Sequence, residues 1–408
     1  MKRKIPILVC LCVVFFILIG LGIGNCQSSN VHYGDEVLLI PKDNRTATNN
    51  GCLTTSTKDG YLECANIVNY YDAKSGDKVT ICGQTGCRHR DSTCQAWVGQ
   101  TETYLEYSGL LYASVTLGDT GYQLICKDLS SGKVTVLDIW ENTEDAIYHV
   151  YINTISDSIM MITVTSLESE PGEFYKKEKN SLWLYDLKTM KKRQFLAEEN
   201  LNMLSVIGYS LNYAVVQYTP MDQNLLSQQA FEMQYGEGYS YARYLERASY
   251  RELRLYDMET QEYIVVADSK ENGFVRTVDP CRIYDKQFVY QCEDTMYLLD
   301  LDTGESEEVV TADNIVNYWV MDEKIFLITS NMDTLIDSHP DEEASFWYIG
   351  FHDRELVQLE NDGRSDVMVF GIYQEGGTFF IGLWNNGTYL ISKEDFYAER
   401  YENARQIG

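Results

Sequence analysis

The segment 82–94 contains three cysteines and one histidine in the spacing Cys-x4-Cys-x-His-x4-Cys, namely Cys82, Cys87, His89 and Cys94. Three thiolates and one imidazole are suitable donors for the tetrahedral shell of a structural zinc ion. Disulfide bonds are one alternative, since a protein outside the cytoplasm can keep them, and free or redox-active thiols are another. Four protein ligands would leave no open position on the metal, so the segment predicts a structural zinc ion or a disulfide staple, not a catalytic metal.

A second pair of cysteines, Cys281 and Cys292, flanks a stretch that is predicted to form a hairpin. The two thiols would face each other across that hairpin, so we predict a disulfide between them. Apart from two cysteines in the apolar N-terminal run and Cys26, the sequence contains eight cysteines, and an even number suits complete pairing.

Four tyrosines crowd together near the end of a long insertion at residues 219–249. They are Tyr235, Tyr239, Tyr241 and Tyr244, and they follow a stretch that suits a short helix. Tyrosines on long loops offer rigid amphipathic contact area to sugars or proteins, which predicts a ligand-binding role. The alternative is a lid over the neighbouring sheet, with the tyrosine rings half buried.

Residues with the spacing of a known catalytic site are missing from the sequence. It contains five histidines and has no Gly-x-Ser-x-Gly elbow, phosphate loop or His-Glu-x-x-His motif. His149 lies in an alternating stretch, where a hydrogen-bonded histidine within a sheet is expected. We therefore predict no catalytic residue. A carbohydrate-active enzyme, either glycosidase or lyase, is the alternative, because carboxylates from distant segments can meet without a linear motif.

A short pattern of an alternating apolar strand, an Asp, and then Ser or Thr with Gly recurs along the chain. Its aspartates are Asp72, Asp128, Asp186, Asp257 and Asp300, separated by 56, 58, 71 and 43 residues. Asp and Ser or Thr accept backbone N–H bonds in a hairpin turn, and Gly tolerates positive φ, so each copy predicts a hairpin. Met190 and Gln261 stand where Gly would lie in the third and fourth copies, and we expect those two turns to differ.

Units of roughly 40–60 residues with several strands each have the size of a β-propeller blade. The sequence predicts an all-β fold with seven blades, near 52–82, 95–138, 148–197, 203–267, 275–310, 315–360 and 366–392. Six or eight blades, or a pair of β-sandwiches, are the alternatives. We expect the propeller to span 51–392 and a polar lead-in to span 26–50. The strand Glu36–Ile40 would complete the last blade, and 393–408 would form a C-terminal tail.

The five hairpin repeats resemble those of WD40-like and TolB-like propellers across most of residues 50–392. The Cys/His segment is similar to one in propeller lipoproteins of Gram-positive bacteria. This resemblance implies a surface lipoprotein and implies no particular activity.

The N-terminus has the pattern of an export signal. Lys2, Arg3 and Lys4 precede an apolar run, Ile5 to Ile23, and Cys26 follows at once. Residues 21–26 resemble a bacterial lipobox, which implies cleavage of residues 1–25 and lipidation of Cys26. An uncleaved membrane helix is the alternative, since the run approaches the length that spans a bilayer. Plain secretion is a further alternative, and all three options place residues 27–408 outside the cytoplasm. The first two anchor the protein to the cell membrane of a Gram-positive bacterium.

The net charge of −28 is spread along the chain and indicates a solvated acidic surface. Such a surface repels phosphate backbones, so nucleic acid is not an expected partner. With no catalytic site predicted, we expect a binding or scaffold module whose partner is a protein or a glycan. An assembly factor for other envelope proteins is a further possibility.

Overall fold

Runs of β-branched and aromatic residues form antiparallel strands along most of the chain, because such side chains pack well on a pleated surface. The computed structural model describes residues 45–46, 54–56, 60–156, 158–169, 176–199, 201–209, 212–220, 225–236, 239, 241–277, 283–284, 286–330, 344–359, 372–375, 377–384 and 387–407. Within these residues the strands group into seven sheets, which confirms the predicted all-β fold and the predicted number of blades.

Each sheet takes four strands that follow one another in the chain. Blades 1 to 3 consist of β2 (Thr54–Ser56), β3 (Gly60–Cys64), β4 (Val68–Asp72), β5 (Lys78–Thr80), β6 (Thr101–Tyr107), β7 (Leu110–Thr116), β8 (Gly121–Asp128), β9 (Val134–Glu141), β10 (Ala146–Ser156), β11 (Ile159–Ser169), β12 (Lys176–Asp186) and β13 (Lys191–Glu199). A further short strand, β1 (Arg45–Thr46), pairs with β10 and makes blade 3 five-stranded.

Blades 4 to 7 repeat the same order of strands. They consist of β14 (Leu201–Tyr209), β15 (Tyr213–Pro220), β16 (Glu252–Asp257), β17 (Tyr263–Asp268), β18 (Val275–Arg276), β19 (Gln287–Cys292), β20 (Thr295–Asp300), β21 (Ser306–Thr311), β22 (Ile315–Met321), β23 (Lys324–Ser330), β24 (Ala344–Gly350), β25 (Leu356–Leu359), β26 (Ile372–Glu375), β27 (Phe379–Trp384), β28 (Gly387–Ser392) and β29 (Arg405–Gln406).

The repeated aspartates form the turns between the third and fourth strands of the first five blades. In each turn the Asp carboxylate accepts backbone N–H bonds, as Asp300 does from Asp302 and Thr303, both at 2.9 Å. The residue four positions later donates its N–H back to the Asp carbonyl in the copies with Gly76, Gly132, Gly304 and Gln261. The aspartates are therefore turn-forming residues, as their positions in the sequence predicted.

The expectation that the third and fourth turns differ from the others is wrong. Met190 and Gln261 have φ values of 56° and 64°, in the same left-handed region as Gly304 at 72°. Gln261 also donates its N–H to the carbonyl of Asp257 at 2.9 Å. The hairpin thus imposes one backbone conformation on all five copies, including those where the side chain makes that conformation costly.

Apolar clusters shared by neighbouring sheets hold the blades together. Every junction around the ring has such a cluster, including the one between the last blade and the first. Representative buried partners from successive blades, beginning with blades 1 and 2, are Val68 with Ile125, Leu124 with Ile162, Leu184 with Val216, Leu255 with Leu298 and Leu327, Phe326 with Phe380, and Ile381 with Tyr61. The sheets therefore form a closed ring.

The last blade draws its outermost strand from the C-terminal residues. β29 pairs with β28 through Arg405 opposite Leu390, and helix α3 (Lys393–Tyr397) lies between these strands. Residues 393–406 thus extend the sheet past 392, where a C-terminal tail was expected to begin. The strand Glu36–Ile40, expected to complete this blade, lies outside the described residues.

One side chain of β29 reaches across the ring closure to the first hairpin. The Arg405 guanidinium donates to the backbone carbonyls of Ala73 at 2.6 Å and Lys74 at 2.9 Å. Around it, Tyr61, Phe379 and Ile407 belong to one buried cluster. Blades 7 and 1 are joined here by side-chain contacts.

The insertion in blade 4 connects β15 to β16. It contains α1 (Gln228–Tyr235) and α2 (Tyr241–Ala248), and the Ser227 hydroxyl caps α1 by accepting the N–H of Ala230 at 3.2 Å. No helix among the described residues is long and apolar enough to cross a membrane. Residues 1–25 and Cys26 lie outside the described part, so the predicted anchor and lipidation site stay predictions.

Candidate functional site

The structure brings the four residues of the Cys/His segment together. The Sγ atoms of Cys82, Cys87 and Cys94 and a ring nitrogen of His89 all lie within 4.8 Å of one another. The three cysteines are free thiols, and His89 Nδ1 lies 3.3 Å from Cys94 Sγ. This Cys₃His group has the donor set of a structural zinc site.

Tight turns between β5 and β6 bring the three sulfur atoms and the imidazole nitrogen together. Gly86 and His89 both have positive φ, 74° and 52°, and the N–H of Cys87 donates to the carbonyl of Gln84 at 3.3 Å. Two sulfur atoms also accept backbone N–H bonds. Cys87 Sγ accepts from His89 at 3.4 Å, and Cys94 Sγ accepts from Ala96 at 3.3 Å. Such N–H bonds favour the thiolate form that a metal requires.

The Cys/His segment is packed between blades 1 and 2. On the side of blade 1, the N–H of Val68 donates to the carbonyl of Ala96 at 3.0 Å. On the side of blade 2, Gln95 Nε2 donates to the carbonyl of Ser130 at 3.2 Å and Lys127 Nζ donates to the carbonyl of Trp97 at 3.3 Å. A metal bound here would therefore staple two neighbouring blades.

A buried cation lies beside the cluster. Lys127 is only 2% exposed, and burial lowers the pKa of its ammonium while the nearby thiols of Cys94, Cys64 and Cys82 oppose that shift. Three thiolates around a divalent ion carry a net charge of −1, which the Lys127 ammonium would balance. A buried charge needs such a partner, so Lys127 fits a metal-loaded cluster.

The thiols of the cluster differ in acidity. Burial, together with the neighbouring thiols Cys87 and Cys82, raises the pKa of Cys94 to about 11. Burial also opposes ionisation of Cys82, but hydrogen bonds from Gln84, Cys94, Gln95 and Cys87 outweigh it and lower the pKa of that thiol.

The remaining described cysteines are isolated thiols within the sheets. Burial raises the pKa values of Cys64 and Cys292 to about 12, which keeps both thiols protonated and unreactive. Cys292 is a free thiol in the structure, and Cys281 lies outside the described residues. The predicted disulfide between Cys281 and Cys292 therefore stays a prediction.

The tyrosines of the insertion pack mainly against one another. The rings of Tyr235, Tyr241 and Tyr244 surround the fully buried Phe231 at centroid distances of 4.8, 5.5 and 5.0 Å. Tyr241 donates its hydroxyl to the carbonyl of Leu226 at 2.8 Å, and the hydroxyl of Tyr244 accepts the N–H of Leu226 at 3.1 Å. These contacts give the insertion a small core of its own.

Only part of the tyrosine set faces solvent. The side chain of Tyr235 is 38% exposed, and the half-buried Tyr239 lies 5.9 Å from it between ring centroids. The contacts of Tyr241 and Tyr244 with Phe231 and Leu226 favour the interpretation of these two residues as part of a lid. The ligand-binding role stays a prediction for the set, with Tyr235 as the ring most accessible to a partner.

A cavity of about 780 Å³ lies between blades 3 and 4, next to the turns of Asp186 and Asp257. This cavity was not predicted from the sequence, because its lining comes from two hairpins that are distant in the chain. One local feature of the sequence does belong to the cavity. The basic residues Lys191, Lys192 and Arg193, which directly follow the Asp186 turn, all line it. Its lining is mixed and includes Leu184, Met258, Tyr213, Asn212, Lys191 and Glu259.

The two turn aspartates at this cavity are poor candidates for a general acid. The N–H of Thr189 stabilises the ionised form of Asp186, and the N–H of Thr260 does the same for Asp257, so both pKa values lie below the ordinary range. Glycoside hydrolysis needs a carboxylic acid with a raised pKa. The cavity thus offers binding groups, and its turn carboxylates do not suit that catalysis.

His149 has the ordinary role that its sequence context predicted. It lies on β10, its Nδ1 is 3.2 Å from the hydroxyl of Tyr122, and its ring stacks on Tyr151 with centroids 6.4 Å apart. Nothing in this arrangement indicates a catalytic base.

No family model and no curated protein matches this chain. Among solved structures, the chain is similar to a puromycin-hydrolyzing peptidase of Mycobacterium tuberculosis, with 9% identity and a TM-score of 0.51. That match covers 91% of this chain and 54% of the peptidase, so the chain spans about half of the peptidase's length. TolB from Acinetobacter baumannii matches at 13% identity with a TM-score of 0.34, covering 84% of this chain and 76% of TolB. At these identities the comparison shows the propeller fold alone.

Proposed function

We propose that this protein is a binding module of the bacterial cell surface, with a glycan as its ligand and a structural zinc ion in its Cys₃His cluster. The single observation that carries the binding role is the cavity of about 780 Å³ between blades 3 and 4. Ligand sites in proteins have volumes of roughly 300–1,000 Å³, so this cavity could hold a short saccharide.

The lining of the cavity supports a polar ligand with an apolar face. Tyr213 offers an aromatic ring, while Asn212, Thr189 and Glu259 offer planar or hydroxyl groups that hydrogen-bond to sugar hydroxyls. Since Asp186 and Asp257 are committed to their turns, the site supports binding without bond cleavage. If the protein is instead a glycosidase or a lyase, it will shorten the glycan that it binds.

The zinc proposal rests on the donor set and the buried counter-charge. Four ligand atoms already lie within 4.8 Å of one another, and Lys127 supplies a positive charge near two of the cluster's thiols, Cys94 and Cys82. Bound zinc would hold the segment 82–94 between blades 1 and 2. Its function would be structural, because the cluster has no open coordination position.

The surface location rests on the sequence alone. The basic start, the apolar run and Cys26 are the features of an exported and lipidated chain. A lipid or an uncleaved helix would fix the propeller to the outer face of the membrane. Its acidic surface argues against nucleic acid as a partner.

A glycan array probed with the full-length protein in detergent tests the binding role. The leading saccharide is then titrated by calorimetry against wild type, Asn212→Ala, Glu259→Gln and the control Glu262→Gln. Glu262 lies just beyond the same turn and does not line the cavity. We expect both cavity variants to weaken binding about tenfold or more, as for a lost hydrogen bond to a charged or polar group, while the control binds normally.

Two results would contradict this function. The first is an array without any bound saccharide, and the second is binding that neither cavity variant changes. Release of shorter sugars from the bound glycan would instead establish an enzyme.

Native mass spectrometry of the purified protein tests the metal and the anchor together. We expect one zinc ion per chain, lost on chelation, and a mass that lacks residues 1–25 and gains a lipid. A purified protein that contains no metal and whose cluster thiols are oxidised would contradict the zinc proposal and favour disulfides. A processed chain without lipid would remove the lipoprotein assignment.

A further inference from the structure

Three aromatic rings surround one ammonium group at the rim between blades 2 and 3. Lys192 Nζ lies 5.4 Å from the ring centroid of Trp183, 5.8 Å from that of Trp140 and 6.0 Å from that of Tyr185. A cation within about 6 Å of a ring centroid is attracted by the negative face of the ring. The three rings, contributed by β9 and β12, form an aromatic cage.

A carboxylate completes the cage. Asp138, on β9, accepts hydrogen bonds from Lys192 Nζ and from the Tyr185 hydroxyl, and its side chain is 18% exposed. Burial, with the adjacent Asp138 carboxylate, raises the pKa of Tyr185 above its ordinary value, so the hydroxyl remains a donor. The Asp138 carboxylate adds electrostatic attraction for any cation in the cage.

Lys192 is a poor fit for this environment. A primary ammonium has three donors, and the described contacts of Lys192 Nζ include one acceptor, Asp138. A quaternary ammonium has no N–H groups to satisfy and is weakly hydrated, so aromatic cages with a nearby acid favour it. The Lys192 side chain is 44% exposed and lies on β13, the last strand of its sheet, so it can turn into water.

We propose that this cage is a binding site for a quaternary ammonium group of the choline type, and that Lys192 occupies it when no ligand is bound. The ligand's positive group would take the place of Lys192 Nζ between Trp140, Trp183 and Tyr185. Asp138 would provide the counter-charge.

The aromatic rings of this site and the cavity of the proposed glycan site lie on opposite faces of the sheet of blade 3, although Lys192 also belongs to the lining of the cavity. Residues along a strand alternate between its two faces, so Arg193 points away from Lys192. Arg193 Nη2 donates to the carbonyl of Met258 in blade 4 at 2.7 Å, whereas Lys192 reaches Asp138 in blade 2. Changes at Trp140 or Asp138, which do not line the cavity, can therefore abolish cation binding while glycan binding is retained.

Tryptophan fluorescence during titration with tetramethylammonium and with choline tests the proposal, since two tryptophans line the cage. The variants are Lys192→Ala, which empties the cage, and the control Lys188→Ala, which removes a nearby exposed charge that lines neither site. We expect Lys192→Ala to bind both cations at least tenfold more tightly than wild type. Lys188→Ala should bind them as wild type does.

Cage variants in the Lys192→Ala background test which groups bind the cation. Trp140→Leu and Asp138→Asn should each weaken choline binding about tenfold. The neutral tert-butyl analogue of choline should not bind, because it has the shape without the charge. Vesicles with and without phosphatidylcholine then separate a lipid headgroup from a free compound.

Failure of Lys192→Ala, folded with a wild-type melting temperature, to bind tetramethylammonium or choline would overturn the proposal. Equal binding of choline and its neutral analogue would also overturn it, because the attraction would then be only hydrophobic.

Discussion

Replacing Met190 by Gly should stabilise the protein, although it removes a large side chain. Met190 has φ of 56° and is 56% exposed, so its side chain contributes little packing to offset the conformation. Left-handed backbone costs a residue with a Cβ roughly 1–2 kcal/mol, and Gly avoids that cost. Gly also has more conformational freedom in the unfolded chain, and this reduces the gain in stability by about 0.5–1 kcal/mol. We expect a net stabilisation of about 0.5–1 kcal/mol.

Gln261 provides an independent copy of the same experiment. Its φ is 64° and its side chain is exposed, so Gln261→Gly should give a gain of similar size. The two turns border the same cavity, but Met190 and Gln261 do not line it, so the double variant should gain about 1–2 kcal/mol by addition. Lys188→Gly is the matched control, because Lys188 lies in the Met190 turn without positive φ. There Gly only adds freedom to the unfolded chain, and stability should fall by about 0.5–1 kcal/mol.

Urea unfolding followed by tryptophan fluorescence measures these differences as shifts of the midpoint at constant slope. The opposite signs expected for Met190→Gly and Lys188→Gly are the decisive comparison. A loss of stability in Met190→Gly equal to that in the control would refute the reasoning. Such a result would mean that the third hairpin is not strained in solution.

Three further predictions concern the metal, the turns and the ring closure. Chelation, or Cys94→Ser, should lower the free energy of unfolding by about 3 kcal/mol, the value for opening a staple around a loop of the length of residues 82–94; an unchanged urea midpoint after confirmed metal loss would contradict this. Hydrogen bonds from Ser130 and Ser131 lower the pKa of Asp128 from 3.8 to about 2, so its contribution is complete above pH 3.8 and disappears as the pH falls through about 2. Asp128→Asn should therefore flatten the stability profile in that window, and a parallel profile would refute the role of the turn. Arg405→Ala should cost about 2 kcal/mol, because two charge-assisted bonds to the carbonyls of Ala73 and Lys74 are lost; equal urea midpoints for variant and wild type would show that the ring closes without this clamp.

The repeat of turn aspartates made the architecture predictable from the sequence. Because the same hairpin ends the third strand of successive blades, the spacing of five aspartates located the first five sheets to within a few residues. In the sixth sheet Gly350 ends the third strand in place of the aspartate, and Arg354, with φ of 55°, takes the place of Gly. Local turn chemistry is encoded over a few residues, and this makes it visible in a single sequence.

Whether a candidate site could be predicted from the sequence also depends on whether its residues lie close together in the chain. The Cys₃His cluster comes from one segment of the chain, so its spacing predicted that the four donors could meet. The cavity and the aromatic cage combine residues from different blades, and their geometry depends on how neighbouring sheets pack. The closing contact of Arg405 spans more than 330 residues in sequence. No short-range pattern specifies such a pair.

Within the described residues, blade 1 is the smallest sheet of the ring, and we infer that this accounts for the position of the Cys₃His segment and of the Arg405 contact. Its strands have 3, 5, 5 and 3 residues, whereas those of blade 3 have 11, 11, 11 and 9. Shorter strands bury less apolar area against their neighbours, and apolar burial is the main force that holds blades together. The Cys₃His segment lies at one junction of blade 1 and the Arg405 clamp lies at the other. If both contacts compensate for the small sheet, loss of either should open the ring at blade 1 first, which hydrogen exchange would detect as early exchange in β3 and β4.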